Sequence, residues 1–316
     1  MGPRSAPRTS RRALLGALVS MPFGSAPGVA RAEEARGEPP DLTPVELALE
    51  GDPKLSRSAM VLVPRERRAD ERFPILLLFH GLGETGDPKI GVRAWADRYG
   101  LVTADARLRH APLSLAKPNR YVSEDRLARI NGELGASPYR GAVLVCPFTP
   151  NIHKLPSEAQ ALDRLAEWTE STLLPAVRAQ APCREDPGGV SIDGCSLGGY
   201  MALGVFLRKP ELFGAVGSVQ PAIGEKIAPL YADLLKHAVE KAGPRSIHIE
   251  TSSWDPELPS HQALSERLRA LRVPHDYTVL PGGHDQIFLK EIGTLEMLLW
   301  HDRRFAEGRA PQAPGG

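Results

Sequence analysis

The sequence predicts an α/β protein: a mostly parallel central sheet with helices packed on both faces. Three observations lead there. Short apolar runs alternate along the chain with longer stretches of helical periodicity. Two of the runs, "FPILLLFHG" and "GAVLVCPF", are apolar almost throughout, the pattern of strands buried on both faces. No second block of distinct composition interrupts the alternation, so a single domain accounts for it.

The first residues stand apart from that pattern. Arg11 and Arg12 precede a short apolar run from Ala13 to Phe23, and Ala30-Arg31-Ala32 follows. Paired arginines, an apolar stretch and a small-x-small triplet resemble a twin-arginine export signal with its cleavage site. The run is too short to cross a bilayer about 30 Å thick as a helix. No cysteine follows the triplet at a lipid-anchoring position. The expectation is an export signal over 1–32, a linker over 33–42, a folded domain over 43–306 and a disordered tail over 307–316. The protein is therefore expected to be periplasmic or secreted, without a transmembrane segment.

Within the domain, "VELALEG" and "SAMVLVPRE" read as two early strands, and "FPILLLFHG", bounded by Pro74 and Gly81, as a buried one. "GVRAWADRYG" reads as helix. The section from Leu101 to Arg140 is polar and basic; "GLVTADARL" fits either a strand or a continued helix. "GAVLVCPF" is the next strand, and the fold class thus carries an insertion before this fourth core strand. Ser157 caps an amphipathic helix that runs to Gln180. "GVSIDG" is a strand, and "SLGGYMALGVFLRKP" is an apolar helix ended by Pro210. Strands follow at "FGAVGSVQ", "SIHIETSS" and "HDYTVLPGG", alternating with helices that close on "DQIFLKEIGTLEMLLWHDRRF".

Charge excludes some functions. There are 39 basic and 38 acidic side chains, a net +1, which offers no electrostatic hold on nucleic acid or an anionic membrane. Metal and phosphate motifs are absent: no H-E-x-x-H, no paired-cysteine zinc spacing, no G-x-x-x-x-G-K-[ST]. No cofactor and no metal ligand are expected. Cys146 ends one strand and Cys183 precedes the next, so a strand length of roughly 17–20 Å separates them and no disulfide is expected.

Chemistry concentrates in Gly194-Cys195-Ser196-Leu197-Gly198, a G-x-S-x-G pentapeptide between a strand and a helix. It holds two adjacent nucleophile types. Centring the turn on Ser196 puts glycine two residues away on both sides; centring it on Cys195 puts Asp193 and Leu197 there, which are too bulky. Ser196 is the candidate nucleophile, and Cys195 is a small buried filler beside the pocket. A serine hydroxyl needs a general base oriented by an acid. Of the six histidines downstream, His284 sits in the glycine-rich loop "LPGGHDQIF" directly after a strand. The other five, His237, His248, His261, His275 and His301, fall within helices, within a strand or at a strand entrance. Asp255 follows the strand "SIHIETSS" at its carboxyl end, where ligand sites of open α/β sheets gather. Its competitors are Glu250, inside the strand; Glu257, farther along the loop; and Asp285, which adjoins His284 and points away from its ring. For the oxyanion, the N–H groups of Leu197 and Leu82 are nominated, with Gly81 as the alternative to Leu82. His80 holds that loop rather than catalysing. Trp254 either lines a pocket or anchors the core.

The stretches "PILLLFHGLGETG", "GCSLGGYMAL", "KPELFGAVGSVQPAI" and "VPHDYTVLPGGHDQIF" resemble the α/β-hydrolase superfamily. More narrowly, they are similar to esterase-D and feruloyl-esterase-like proteins, with polyhydroxyalkanoate depolymerases as relatives. The resemblance implies an eight-stranded sheet, a Ser196-Asp255-His284 triad and carboxylic-ester hydrolysis without a cofactor. The substrate it implies is a small-molecule or carbohydrate ester. The section 101–140 departs from the group and is a candidate cap or rim carrying Arg107, Arg109, Arg120 and Tyr121, with a solvated loop as the plainer reading. Acyl transfer, peptide cleavage on the same fold, and a catalytically inactive hydrolase-fold binding protein are the alternatives. The sequence leaves open the acyl and alcohol parts of the substrate and the oligomeric state.

Overall fold

A computed structural model describes residues 41–115 and 119–307. The expected export signal (1–32), most of the expected linker (33–42) and the tail after Glu307 lie outside the described residues. The strands are β1 Leu42–Ala48, β2 Ser58–Pro64, β3 Ile75–Phe79, β4 Val143–Pro147, β5 Val190–Gly194, β6 Ala215–Val219, β7 Ser246–Trp254 and β8 Asp276–Gly283. They form one eight-stranded sheet in the order β1-β2-β4-β3-β5-β6-β7-β8. β2 pairs antiparallel with β1 and β4, and every other neighbouring pair is parallel. Every residue of β3, β4, β5 and β6 is buried, which is why these strands read as unbroken apolar runs, whereas β1 at the edge alternates.

The helices are α1 Pro88–Arg93, α2 Leu101–Arg109, α3 Glu124–Ala136, α4 Glu158–Trp168, α5 Leu174–Gln180, α6 Leu197–Arg208, α7 Ala228–Ala242, α8 Leu258–Ala270, α9 Gln286–Phe288 and α10 Thr294–Glu307. They divide between two cores. Ile75, Leu77 and Phe79 of β3 pack with α4 to α8, while Leu76 and Leu78 face α1, α2, α3 and α10. Alternation of side chains along a strand forces this division. Ser157 caps α4 by accepting the Gln160 N–H at 3.3 Å. α6 is buried on nearly every side, as a helix apolar all round must be.

The described parts of the section 101–140 hold no strand; two helices alternate there with partly exposed loop. The section supplies α2 and α3 to the second core through Leu101, Ala104, Leu108, Ile130 and Leu134. Its arginines gave it a polar look, yet several are tied inward. Arg126 and Arg129 both reach Glu296 on α10 at 2.6 Å, and Arg109 pairs with the buried Asp105 at 2.7 Å. Cys146, Cys183 and Cys195 are all free and buried. No helix among the described residues is long and apolar enough to cross a membrane.

β4 lies on one side of β3 and β5 on the other. The sheet order therefore diverges at β3/β5, and the crevice above their carboxyl ends is where this topology places ligands.

Candidate active site

Only Cys195 and Ser196 separate β5 from α6. That tight a reversal puts Ser196 at φ 55° and ψ −119°, a conformation a side-chain-bearing residue adopts at a cost. The turn is fixed from both sides: Ser196 N–H donates to Val219 O at 2.9 Å, and Ser196 O accepts from Ala222 N–H at 3.0 Å. The flanking glycines are steric necessities. A methyl on Gly198 would lie 2.1 Å from the Phe79 carbonyl oxygen, and one on Gly194 2.4 Å from the Gly198 backbone. Beneath the turn, buried Asp193 accepts the Gly194 N–H at 2.6 Å and pairs with His301 Nε2 at 2.9 Å.

The loop after β8 brings His284 to this serine. His284 Nε2 lies 3.0 Å from Ser196 Oγ, and its Nδ1 lies 3.1 and 3.2 Å from the two carboxylate oxygens of Asp255. A carboxylate only accepts, so Nδ1 carries the proton and Nε2 is left to accept from the serine hydroxyl. Asp255 sits just past the end of β7, its side chain fully buried while that of His284 is 30% exposed. Burial pushes the Asp255 pKa up. The His284 contact and the Glu257 N–H, which donates at 2.8 Å, outweigh it, leaving the carboxyl below its ordinary range.

The loop after β3 lies alongside. Buried His80 organises it: its Nε2 accepts the Thr149 N–H at 3.0 Å, which makes Nδ1 the donor to Gly81 O at 2.9 Å. Burial holds His80 below the ordinary histidine pKa, so it stays neutral in this role. Gly81 N–H donates to Tyr99 Oη at 3.1 Å and is thereby occupied. The Leu82 N–H has no such acceptor among the described residues. Leu197 opens α6 immediately after Ser196 and carries the other nominated N–H at a helix N-terminus.

These loops enclose a cavity of about 350 Å³ lined by Gly81, Leu82, Glu84, Tyr99, Cys195, Ser196, Gln220 and His284 among others. Cys195 lines it as a buried thiol whose pKa burial drives far upward, so it is a neutral packing group. Trp254 departs from both expectations: it neither lines the cavity nor anchors a core. It is 56% exposed, with the Arg120 guanidinium 5.1 Å above its ring. No described residue of 101–140 lines the cavity.

The competing acids and histidines stand in other surroundings. Glu250 is fully buried and burial raises its pKa well above normal, with neither carboxyl oxygen hydrogen-bonded. Asp285 caps α9 by accepting the Phe288 N–H, and Glu257 accepts from Ser260. His261 bonds its own neighbours rather than Asp255. Its Nε2 donates to Pro221 O at 2.8 Å, so its Nδ1 accepts the Thr251 hydroxyl at 2.7 Å in preference to the 3.4 Å contact of that hydroxyl with Asp255. His248 stacks on Trp300, and His275 bonds Ser265.

Two further groups escape a reading of the sequence. Gln220 adopts φ 49° directly after β6 and ties three strand ends together, donating to Ser252 Oγ at 2.7 Å and Gly283 O at 2.9 Å. Glu84 is buried in the cavity wall against Tyr99, Arg98 and Gln286. Nothing in their spacing announces either; the partners are scattered along the chain.

Residues 147–291 match the family model Esterase, described as "Putative esterase". No curated protein sequence matches the chain at a significant level. Among solved structures, a ferulic acid esterase superposes with a TM-score of 0.62 at 18% identity, covering 84% of this chain and 98% of its own. An S-formylglutathione hydrolase from Staphylococcus aureus gives 0.55 at 14% identity, with coverages of 84% and 98%. The feruloyl esterase module from Clostridium thermocellum gives 0.57 at 13% identity, with coverages of 94% and 99%. At these identities the likeness is one of fold, and the match over 147–291 adds the reaction class. The chain has the α/β-hydrolase fold, and its match to the esterase family over residues 147–291 supports a carboxylic ester hydrolase.

Proposed function

We propose that this esterase works through a Ser196-His284-Asp255 triad and an acyl-enzyme. Ser196 Oγ attacks the ester carbonyl carbon while His284 Nε2 takes the hydroxyl proton. The negative charge that develops on the carbonyl oxygen is met by the N–H groups of Leu82 and Leu197. His284 returns the proton to the departing alkoxide as the carbon–oxygen bond breaks. Water, deprotonated by the same nitrogen, then cleaves the acyl-enzyme and releases the acid and the free serine. Asp255 keeps the imidazole in the tautomer that leaves Nε2 free, and it balances the imidazolium that forms.

The observation carrying this reading is the unbroken line from Asp255 through His284 Nδ1 and Nε2 to Ser196 Oγ, with every link between 3.0 and 3.2 Å. Cavity size supports a small acyl or aryl ester as the group bound at the serine, with exposed Leu82 offering an apolar wall. Ferulic acid esters are a natural first test, since ferulic acid esterases share the fold. The test is labelling by a fluorophosphonate probe together with hydrolysis of short-chain aryl esters. Labelling confined to Ser196, and lost with activity in Ser196→Ala, is expected; full activity in Ser196→Ala overturns the mechanism.

Export through the twin-arginine route belongs to the same proposal. Its support is the sequence of residues 1–32. N-terminal sequencing of the protein recovered from the periplasm or medium is expected to begin at Glu33. Protein that stays in the cytoplasm with its first residues intact overturns export without touching the mechanism.

A further inference from the structure

We propose that Glu84 and Tyr99 are a positioning pair that selects which backbone N–H of the loop after β3 meets the oxyanion, and that Glu84 locks this loop to the loop carrying His284. The inference rests on the assignment of Ser196 as nucleophile and concerns a step that assignment leaves open.

Two successive N–H groups, those of Gly81 and Leu82, stand at the end of β3. Which of them is available is a question of acceptors. Tyr99 Oη accepts the Gly81 N–H at 3.1 Å. Its own single proton goes to Glu84 Oε2, because a phenol has one proton and the carboxylate has none to offer the tyrosine in return. The chain of bonds therefore has a direction: Gly81 N–H to Tyr99, Tyr99 O–H to Glu84. Burial foremost, with the Cys195 and Glu84 neighbours adding to it, drives the Tyr99 pKa far upward, which keeps the phenol protonated. Gly81 is thus taken out of competition, and of these two N–H groups that of Leu82 is left to a ligand.

The other oxygen of Glu84 faces two groups that only donate. Arg98 Nη1 lies 3.3 Å away, and Gln286 Nε2 lies 3.2 Å away. Gln286 is two residues past His284 and 202 positions from Glu84. One carboxylate, 4% exposed in the cavity wall, therefore joins the donor loop, the Tyr99 segment and the loop bearing the base. Neither Glu84 nor Tyr99 reaches the reacting atoms through these bonds. What they fix is the relative position of the oxyanion donor and the imidazole, a requirement of the transition state more than of substrate binding.

Tyr99→Phe removes the acceptor for Gly81 and one donor to Glu84 while keeping the ring. Glu84→Gln keeps an acceptor for Tyr99 but turns an amide toward Arg98 and Gln286, setting donor against donor. On a short-chain aryl ester, each is expected to lower kcat roughly 10- to 100-fold, below the full loss of an oxyanion donor, with KM changed less than about twofold. The double variant is expected to fall no further than the worse single, since both break one unit. Independently of activity, the Gly81 amide proton is expected to shift upfield and exchange faster in Tyr99→Phe, with the Leu82 amide moving less. Unchanged kcat in both variants, losses that multiply in the double variant, or a Gly81 amide that does not respond overturns the pair. Because the amide measurement needs no turnover, it tests the pair even where Ser196→Ala retains activity and the triad assignment falls.

Discussion

Ser196 Oγ and His284 Nε2 stand 3.0 Å apart although 88 positions separate them. The turn after β5 and the loop after β8 deliver them to the same crevice, with Asp255 completing the line from the end of β7. If this contact is the proton path, replacing either end removes it. Ser196→Ala and His284→Ala are each expected to lower kcat/KM on aryl esters by roughly 10⁴-fold or more. Asp255→Asn should leave the fold in place but present the wrong imidazole tautomer, with a kcat loss of about 10⁴. Steady-state kinetics beside circular dichroism checks all three.

The role proposed for Leu82 lies in its backbone, so the informative substitution is one that deletes an N–H. Leu82 opens a short 3₁₀ turn after extended Gly81, a place where proline fits. Leu82→Pro is expected to reduce kcat roughly 10²- to 10³-fold with little change in thermal midpoint. Leu82→Ala, which keeps the N–H, should stay near wild type in kcat.

Glycine is required at Gly198 and optional at Gly83. A methyl at Gly198 meets the Phe79 carbonyl at 2.1 Å, backbone against backbone, whereas nothing lies within 4 Å of one at Gly83. Gly198→Ala should sharply reduce soluble yield or thermal midpoint and abolish fluorophosphonate labelling. Gly83→Ala should melt like the wild type.

Cys195, next to the serine, should be inert. Burial holds its thiol neutral, so iodoacetamide at pH 7 is expected to leave activity intact. Cys195→Ala should retain most of the activity that Ser196→Ala loses. Rapid inactivation by the reagent, traced to Cys195 by mass spectrometry, would contradict this.

His248 predicts part of the acid sensitivity. Burial, with smaller contributions from His301 and Arg304, pushes its pKa down from 6.5 to about 3. Between those values the unfolded chain binds a proton that the fold does not, so stability falls as pH drops from about 6.5 to about 3. His248 stacks on Trp300, its Nδ1 has no hydrogen-bond partner and its Nε2 only a 3.4 Å contact with Thr278 Oγ1, so phenylalanine is a close substitute. His248→Phe should lose less of its thermal midpoint between pH 7 and pH 4.5 than the wild type does.

The apolar runs made most of the fold legible, because β3 and β4 have no polar face to disguise them. The section 101–140 was not legible. α2 and α3 bury only a few apolar residues each, and the arginines that pair with Glu296 and Asp105 look like surface charges until α10 and the helix's own turns place acids beside them. Trp254 misled for the complementary reason: a large aromatic next to Asp255 suggests a wall or an anchor, yet it stands exposed under Arg120.

The sequence by itself determined the strand–helix alternation, the serine between its two glycines, and the order in which Ser196, Asp255 and His284 follow one another. These are local matters of periodicity, steric room in one turn, and position at strand ends. Tertiary structure alone decided that Leu82 and not Gly81 offers the free N–H, and that Glu84, Tyr99 and Gln286 meet behind it. It also decided that Gln220 clamps the ends of β6, β7 and β8. Hydrogen bonds between groups 15 to 202 positions apart leave no periodic trace in a chain. They exist only once packing has brought the loops together and burial has required each polar group to find its partner.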